Sequence, residues 1–320
     1  MIELRNLSYE IGPLSILKNV SLTVGKGSIL GLIGESGSGK SSLLKLAAGL
    51  NEPSSGEVLL DGQKIDPPSE KLIPGHPEIK IVTQHNSLFP NVTIRENVAY
   101  ELRFFKKEYT EKRVKKLLQM TGIAHLADRY PREVSGGELQ RALIAKSVAD
   151  EPKVLLLDEP FSNLDRNIKR KINIALQKII REENIACIFV THEIADAFGM
   201  VDELAVLRKG KIIQKGKVEE LYHYPKNFYV ANLTGAGNFI KNSRLNKDEE
   251  SGNLLIRPED ISLSDSGEFE GVIKRNIFLG PFYEVHLEWD GTELFFFSKE
   301  KLEEGAILKF DILKSVGLGA

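Results

Sequence analysis

One segment constrains the fold of this chain more than any other: Ile29-Leu30-Gly31-Leu32-Ile33, followed at once by Gly34-Glu35-Ser36-Gly37-Ser38-Gly39-Lys40-Ser41. A short, unbroken apolar run predicts a strand buried on both faces, as in a parallel sheet. Ser41 to Leu50 reads as a helix, stopped around Gly49 and followed by Pro53. Between strand and helix lies G-x-x-x-x-G-K-S. Its glycines let backbone N–H groups turn inward around phosphate oxygens, and the helix N-terminus adds partial positive charge. In such a loop Lys40 reaches the β- and γ-phosphates of a nucleotide, and the Ser41 hydroxyl ligates Mg²⁺. Gly34, Glu35, Ser36, Gly37, Ser38, Gly39, Lys40, Ser41 and the adjoining Ser42 are the candidate nucleotide-binding residues.

Val154-Leu155-Leu156-Leu157 and Ile185 to Val190 predict two more buried strands. Between them Ile168, Ile172, Leu176, Ile179 and Ile180 recur at three- and four-residue spacing, an amphipathic helix from about Arg166 to Glu183 with Asp165 as its cap. Strand, helix, strand is the pattern of an α/β domain. The strand at Val154 ends in Asp158-Glu159, which suits a metal-linked Asp158 and a Glu159 that polarises an attacking water. From about Asn91 to Ala149 no strand pattern intervenes, so a mainly helical insertion is expected there. Thr110 is its expected cap for a helix through Glu111, Val114, Leu117 and Leu118. Within the insertion, Ser135-Gly136-Gly137-Glu138 opens a second helix whose N-terminus can bind an anion. Taken alone, these residues are better read as a plain serine cap with flexible glycines.

The length of 320 residues suggests about two domains. A polar, charged connection runs from about Lys241 to Asn253, and beyond it the texture changes. Val285, Leu287 and Trp289 alternate with Glu284, His286 and Glu288, and Asp290-Gly291 supplies a hairpin turn into Glu293 to Ser298. With Leu254-Leu255-Ile256, Gly271 to Phe278 and Ile307 to Ile312, this predicts a small all-β domain. A formal net charge of −2 argues against a generally basic nucleic-acid binder. Cys187 is the one cysteine, which excludes an internal disulfide framework and a cysteine-rich zinc site. No apolar run reaches the length of a spanning helix, and Met1 to Arg5 lacks the build of a secretory signal, so composition points to a cytoplasmic protein.

Phosphate loop, Ser135-Gly136-Gly137-Glu138 and Asp158-Glu159, in this order and spacing, resemble the nucleotide-binding subunit of ABC (ATP-binding cassette) transporters. The resemblance covers about residues 1–235 and implies a P-loop NTPase fold of the ABC ATPase type with a helical subdomain at about 91–149. Ser135 to Glu138 looks like the family signature, with Val134 and Glu138 departing from its commonest form; both leave the Ser135 hydroxyl and the glycine N–H groups in place. Gln84 matches the Q-loop glutamine, expected to sense Mg²⁺ with Ser41 and Asp158. Ser162-Asn163-Leu164-Asp165 looks like the D-loop, and His192 like the switch histidine that contacts the γ-phosphate. The aromatic residue that usually stacks on adenine has no direct match: Ile11 stands at the site before Gly12, and Tyr9 two residues earlier is the other candidate.

Ile256-Arg257-Pro258-Glu259-Asp260-Ile261 is similar to the opening of the TOBE-type, OB-like β-barrel appended to ATPases of import systems, here at 236–320, and Ser87 to Val98 is similar to that same group. The favoured reading of this barrel is a dimerisation or spacer module without a ligand. The resemblance implies an ATPase that sandwiches two ATPs with a second copy of itself. It further implies a transmembrane permease, an extracytoplasmic substrate-binding protein, and a place at the cytoplasmic face of the membrane. An exporter ATPase subunit and a non-transport ABC ATPase are the competing readings; exporter ATPases generally lack such a barrel.

Overall fold

The computed structural model describes residues 1–83, 88–161, 165–245 and 252–319. It divides into two units, Met1–Val218 and Glu219–Ala320. In chain order the first contains β1 (Ile2–Ile11), β2 (Leu14–Val24), β3 (Ile29–Ile33), α1 (Lys40–Ala47), β4 (Ser55–Leu60), β5 (Gln63–Lys64) and β6 (Ile79–Thr83). A helical stretch follows with α2 (Ile94–Ala99), α3 (Lys107–Met120) and α4 (Gly136–Ser147). Then come β7 (Val154–Asp158), α5 (Arg166–Glu182), β8 (Ala186–Val190), α6 (Ile194–Ala197), β9 (Glu203–Arg208) and β10 (Lys211–Gly216).

The central sheet has the order β10-β9-β3-β8-β7-β6, with only β10 antiparallel to its neighbour. Its unbroken apolar strands are explained by their two covered faces. Leu155, Leu157, Cys187 and Phe189 pack with Ile172, Leu176, Ile179 and Ile180 of α5 and with the helical insertion. Their alternates Val154, Leu156, Ile188 and Val190, with Leu30 and Leu32, pack with Leu43, Leu44 and Leu46 of α1. The latter core is closed by an antiparallel sheet of order β2-β1-β4-β5. Sequence periodicity does not reveal this sheet, because Asn6 and Asn19 adopt left-handed backbone (φ 51° and 54°) and register shifts break the alternation of β1 against β2.

Helix ends follow local chemistry. Gly49 (φ 67°) ends α1 in a Schellman motif, its N–H donating to the Leu46 carbonyl and that of Leu50 to the Lys45 carbonyl. Asp165 Oδ1 accepts from the N–H groups of Asn167 and Ile168, both at 3.0 Å, and caps α5 as expected. Thr110 does not cap α3. That helix starts at Lys107, after the extended backbone of Lys106, and the Thr110 hydroxyl sits one turn inside it, directed back to the Leu102 carbonyl.

The second unit contains α7 (Val218–His223), which begins at the boundary, and α8 (Phe228–Thr234). Its strands are β11 (Asn238–Lys241), β12 (Asn253–Ile256), β13 (Ile261–Leu263), β14 (Phe269–Phe278), β15 (Tyr283–Trp289), β16 (Thr292–Ser298), β17 (Ile307–Ile312) and β18 (Val316–Leu318). They form sheets of order β11-β12-β18 and β13-β17-β14-β15-β16 around one core that includes Ile256, Val285, Leu287, Leu294, Phe296 and Phe310. Asp290 (φ 46°) and Gly291 (φ 67°) make the two-residue hairpin turn between β15 and β16. Arg257 is buried beneath α8: its guanidinium donates to the carbonyls of Tyr222, Gly235 and Ala236 and to Thr234 Oγ1 at 2.8–3.0 Å. A cation at a helix C-terminus satisfies carbonyls that have no partner within the helix. Among the described residues no helix is long and apolar enough to cross a membrane.

A buried ion pair ties the helical insertion to the end of α5. Arg113 on α3 is 5% exposed and meets Glu183, 8% exposed, at 2.5 Å, while also donating to the carbonyls of Val148 and Ala149. Burial opposes charge on Glu183, but hydrogen bonds from Arg113 and Lys116 outweigh it and hold the carboxyl below its ordinary value of 4.5. Arg113→Met removes the buried partner and leaves Glu183 with only the half-exposed Lys116, at 2.9 Å, and is expected to cost on the order of 1–3 kcal/mol at neutral pH. Because the folded-state value is depressed, this contribution is complete above 4.5 and lost as pH falls through the lowered value. Calorimetric melting at pH 7 and pH 4 checks both points: the gap between parent and variant is wide at pH 7 and narrower at pH 4.

Candidate active site

Three parallel strands deliver the candidate residues to one edge. The phosphate loop follows β3, Asp158 and Glu159 end β7, and Thr191 and His192 follow β8. Register aligns these ends, since Leu32 pairs with Val190 and Val190 with Asp158. The turns are pinned as well: Glu159 N–H donates to the Val190 carbonyl at 3.0 Å, and Thr191 N–H to the Leu32 carbonyl at 3.3 Å.

In the loop, Gly37 (φ 78°) and Gly39 (φ 107°) adopt left-handed backbone that side chains disfavour. Gly34 is required for a different reason, because a Cβ there would lie 2.1 Å from the Leu207 carbonyl oxygen. The Lys40 ammonium folds back on the loop and donates to the Gly34 and Glu35 carbonyls at 2.8 and 2.9 Å. Burial lowers its pKa, while Glu159, Asp158 and Glu35 pull it upward, so both carboxylates act on this lysine. Ser38 is buried, and its Oγ has no hydrogen-bond partner among the described residues. An orphaned hydroxyl inside a cradle of N–H groups fits an incoming phosphate oxygen. The Ser41 hydroxyl and Asp158 carboxylate are hard oxygen donors, the type and number of protein ligands that Mg²⁺ takes alongside phosphate and water.

Glu159 stands in left-handed backbone (φ 48°), a conformation costly for a residue of this size and one that recurs at functional sites. Its Oε2 lies 3.2 Å from His192 Nδ1, and both side chains reach solvent, His192 at 51% exposure. Thr191 beneath them is buried, and its Oγ1 accepts the Glu193 N–H at 3.0 Å.

The serine-glycine segment opens α4 from a separate place. Ser135 caps the helix, and both its N–H and its hydroxyl donate to Glu138 Oε2 at 2.8 Å. Glu138 thus closes a capping box, and these bonds lower its pKa. Ser135 and Gly136 are exposed. Gly137 is buried, and a Cβ there would meet Ile168 Cγ2 of α5 at 2.5 Å. Among the described residues no hydrogen bond or ion pair joins Ser135–Glu138 to Lys40, Glu159 or His192. The two candidate anion sites therefore do not meet within one chain among the described residues.

The two base-stacking candidates differ in setting. Tyr9 packs on the core of the first unit, and its hydroxyl accepts from Asn51 Nδ2 at 2.9 Å, whereas Ile11 at the tip of the β1–β2 hairpin is 55% exposed. Gln84, and Ser162-Asn163-Leu164 of the D-loop segment, lie outside the described residues. Sequence reasoning overlooked Asn97. This wholly buried side chain accepts from Phe89 N–H and donates to the carbonyls of Phe89, Val92 and Thr93, setting the segment that presents Phe89. The Thr93-x-x-Glu96 capping box beside it was the available signal. It also overlooked Lys169, whose ammonium bonds Glu193 and Asp196.

Gly34→Ala is expected to displace the loop from Leu207 and weaken nucleotide binding by about tenfold or more, with the fold retained. Titration calorimetry against circular dichroism tests this; unchanged affinity would show that the loop tolerates the methyl group.

Residues 17–162 match the family described as ABC transporter, and residues 254–318 match the TOBE domain. The chain is 35% identical to the Fe(3+) ions import ATP-binding protein FbpC of Escherichia coli O157:H7, over 92% of this chain and 89% of that protein. It is 33% identical to the spermidine/putrescine import ATP-binding protein PotA of Clostridium novyi, over 98% of this chain and 95% of that protein. Among solved structures it resembles the ATP-binding cassette MJ0796, a dimer in a post-hydrolysis state bound to ADP and Pi. That likeness has a TM-score of 0.57 and 31% identity, and spans 68% of this chain and 98% of the other.

Proposed function

This chain belongs to the ABC transporter family as an ATPase that energises import, and we propose that it does so docked on the cytoplasmic face of a membrane permease, closing on a second copy of itself around two ATP molecules. The observation that carries the hydrolytic reading is the Glu159–His192 pair, 3.2 Å apart, with Asp158 and Glu159 both acting on Lys40.

In this reading the phosphates take over the Lys40 ammonium from the Gly34 and Glu35 carbonyls, and the loop N–H groups and Ser38 and Ser42 hydroxyls surround them. Ser41, Asp158 and Gln84 would hold Mg²⁺, which when bound would neutralise charge developing on the phosphate oxygens. Glu159 orients the attacking water and accepts its proton, while His192 turns its exposed ring to the γ-phosphate. Ile11 packs on the adenine from the hairpin tip, and Tyr9 braces that hairpin through Asn51. Since Ser135–Glu138 does not reach its own phosphate loop, the exposed Ser135 and Gly136 complete the phosphate site of the second copy. The dimeric ADP-bound cassette MJ0796 supports this arrangement by likeness.

Phe89 and Tyr100, stacked edge-on at 4.8 Å with Lys146 above Phe89, offer an exposed surface on which the permease docks. An extracytoplasmic binding protein supplies the transported substrate. That substrate is set by those partners, in keeping with relatives named for iron and for polyamines.

Glu159→Gln is expected to keep ATP affinity and lose steady-state hydrolysis by on the order of 10²-fold, with a closed dimer accumulating by size-exclusion chromatography. Near-normal turnover in that variant overturns the role given to Glu159. Chelation of divalent cations is expected to abolish turnover by the parent chain, and turnover that persists in EDTA argues against the Mg²⁺ assignment. Purification with the membrane fraction, followed by identification of the co-purifying permease, tests the docking.

A further inference from the structure

We propose that Lys169 is a positioning residue for hydrolysis: from the first turn of α5 it anchors the segment that carries His192, and through that histidine it holds the Glu159 carboxylate in place. The inference rests on the ATPase reading above and concerns residues that this reading leaves without a role.

Lys169 is buried at the start of α5, where its N–H donates to the Asp165 carbonyl, so its own backbone is fixed by the cap of that helix. Its ammonium reaches Glu193 Oε2 at 3.0 Å and Asp196 Oδ2 at 2.9 Å. Glu193 is held a second way, since its N–H donates to the buried Thr191 Oγ1 and its carbonyl accepts from the same hydroxyl. His192 is the residue between these two anchored neighbours. Its Nδ1 faces Glu159 Oε2 at 3.2 Å, and its Nε2 faces Glu193 Oε1 at 3.7 Å. The two oxygens of Glu193 are thus divided, one toward Lys169 and one toward the histidine. A continuous chain of polar contacts runs Asp196, Lys169, Glu193, His192, Glu159 from helix α5 to the end of β7.

Removing the ammonium leaves two carboxylates, Glu193 and Asp196, facing one another without a cation. Repulsion turns Glu193 outward, and the imidazole loses the wall behind it. The phosphate loop is untouched by this change, because no contact joins Lys169 to residues 34–42 among those described. A merely structural lysine would lower stability and leave turnover per folded molecule alone. A positioning lysine lowers kcat and spares nucleotide binding, since small misplacements of reacting groups cost rate steeply.

The test compares steady-state ATPase activity of the full chain with Lys169→Met, Lys169→Arg and Glu193→Gln, alongside Glu159→Gln as reference, with folding followed by melting temperature. Lys169→Met is expected to lower kcat by about tenfold or more with KM for ATP changed by less than about threefold. Lys169→Arg recovers most of the rate, because a guanidinium can span both carboxylates. If the methionine variant fails to fold, Glu193→Gln, which keeps side-chain shape, is expected to lower kcat in the same manner. The proposal is overturned if both variants keep kcat within about twofold of the parent, or if KM rises while kcat stays. Should Glu159→Gln remain active as well, the hydrolytic reading itself is what has failed; if only that reference is inactive, Lys169 alone has been misassigned.

Discussion

Everything at the candidate site depends on burying both faces of the parallel strands β3, β7 and β8. Parallel strands that pair in register end at the same edge, so the residues that follow them are delivered to one place. Here the edge receives a phosphate-binding loop, a pair of carboxylates and a histidine, drawn from positions up to 158 residues apart, between Gly34 and His192. The two cores that clamp the strands do more than stabilise the unit. They hold Glu159 in a left-handed conformation through its bond to Val190, and a strained residue persists only where its surroundings over-determine it.

Electrostatics then distribute roles among these residues. Burial pulls the Lys40 pKa down and the carboxylates at the end of β7 oppose that pull, so the candidate phosphate-binding cation and the candidate metal- and water-binding anions sit in one coupled field. Helix α5 joins this site to the signature helix. Ile168 fills the space beside Gly137, and the next residue, Lys169, grips the turn after His192. The Ser135–Glu138 segment and the segment that carries His192 are consequently braced by adjacent residues of one helical turn.

Much of this was legible from residue patterns. The phosphate loop, the strand ending in Asp158-Glu159, the cap at Asp165 and the hairpin at Asp290-Gly291 are local, and each has a short-range physical cause. What escaped notice depends on partners distant in sequence. The antiparallel sheet of β1, β2, β4 and β5 was hidden because left-handed asparagines and bulges interrupt its alternation. Arg113 and Lys169 carry no local signal, and Arg257 stood out only within the motif that opens the barrel, since only folding supplies the buried acceptors that surround them. The start of α3 was misplaced because Thr110 has good capping chemistry but lies one turn beyond an extended Lys106.

The sequence by itself determined which chemistry is available: a loop built to wrap phosphate, carboxylates that can serve metal and water, and a second helix N-terminus that can bind an anion. The resemblance carried by those motifs was also sufficient to identify the family. Only the tertiary structure decided which atoms cooperate. It paired His192 with Glu159, engaged Ser135 with Glu138, and separated Tyr9 from Ile11 by burial. It also gave Lys169 two carboxylates to hold. The physical reason is range. Backbone conformation and phosphate affinity are set by neighbours within a few residues, whereas burial and ion pairing are set by packing between elements whose order in space the local pattern does not encode.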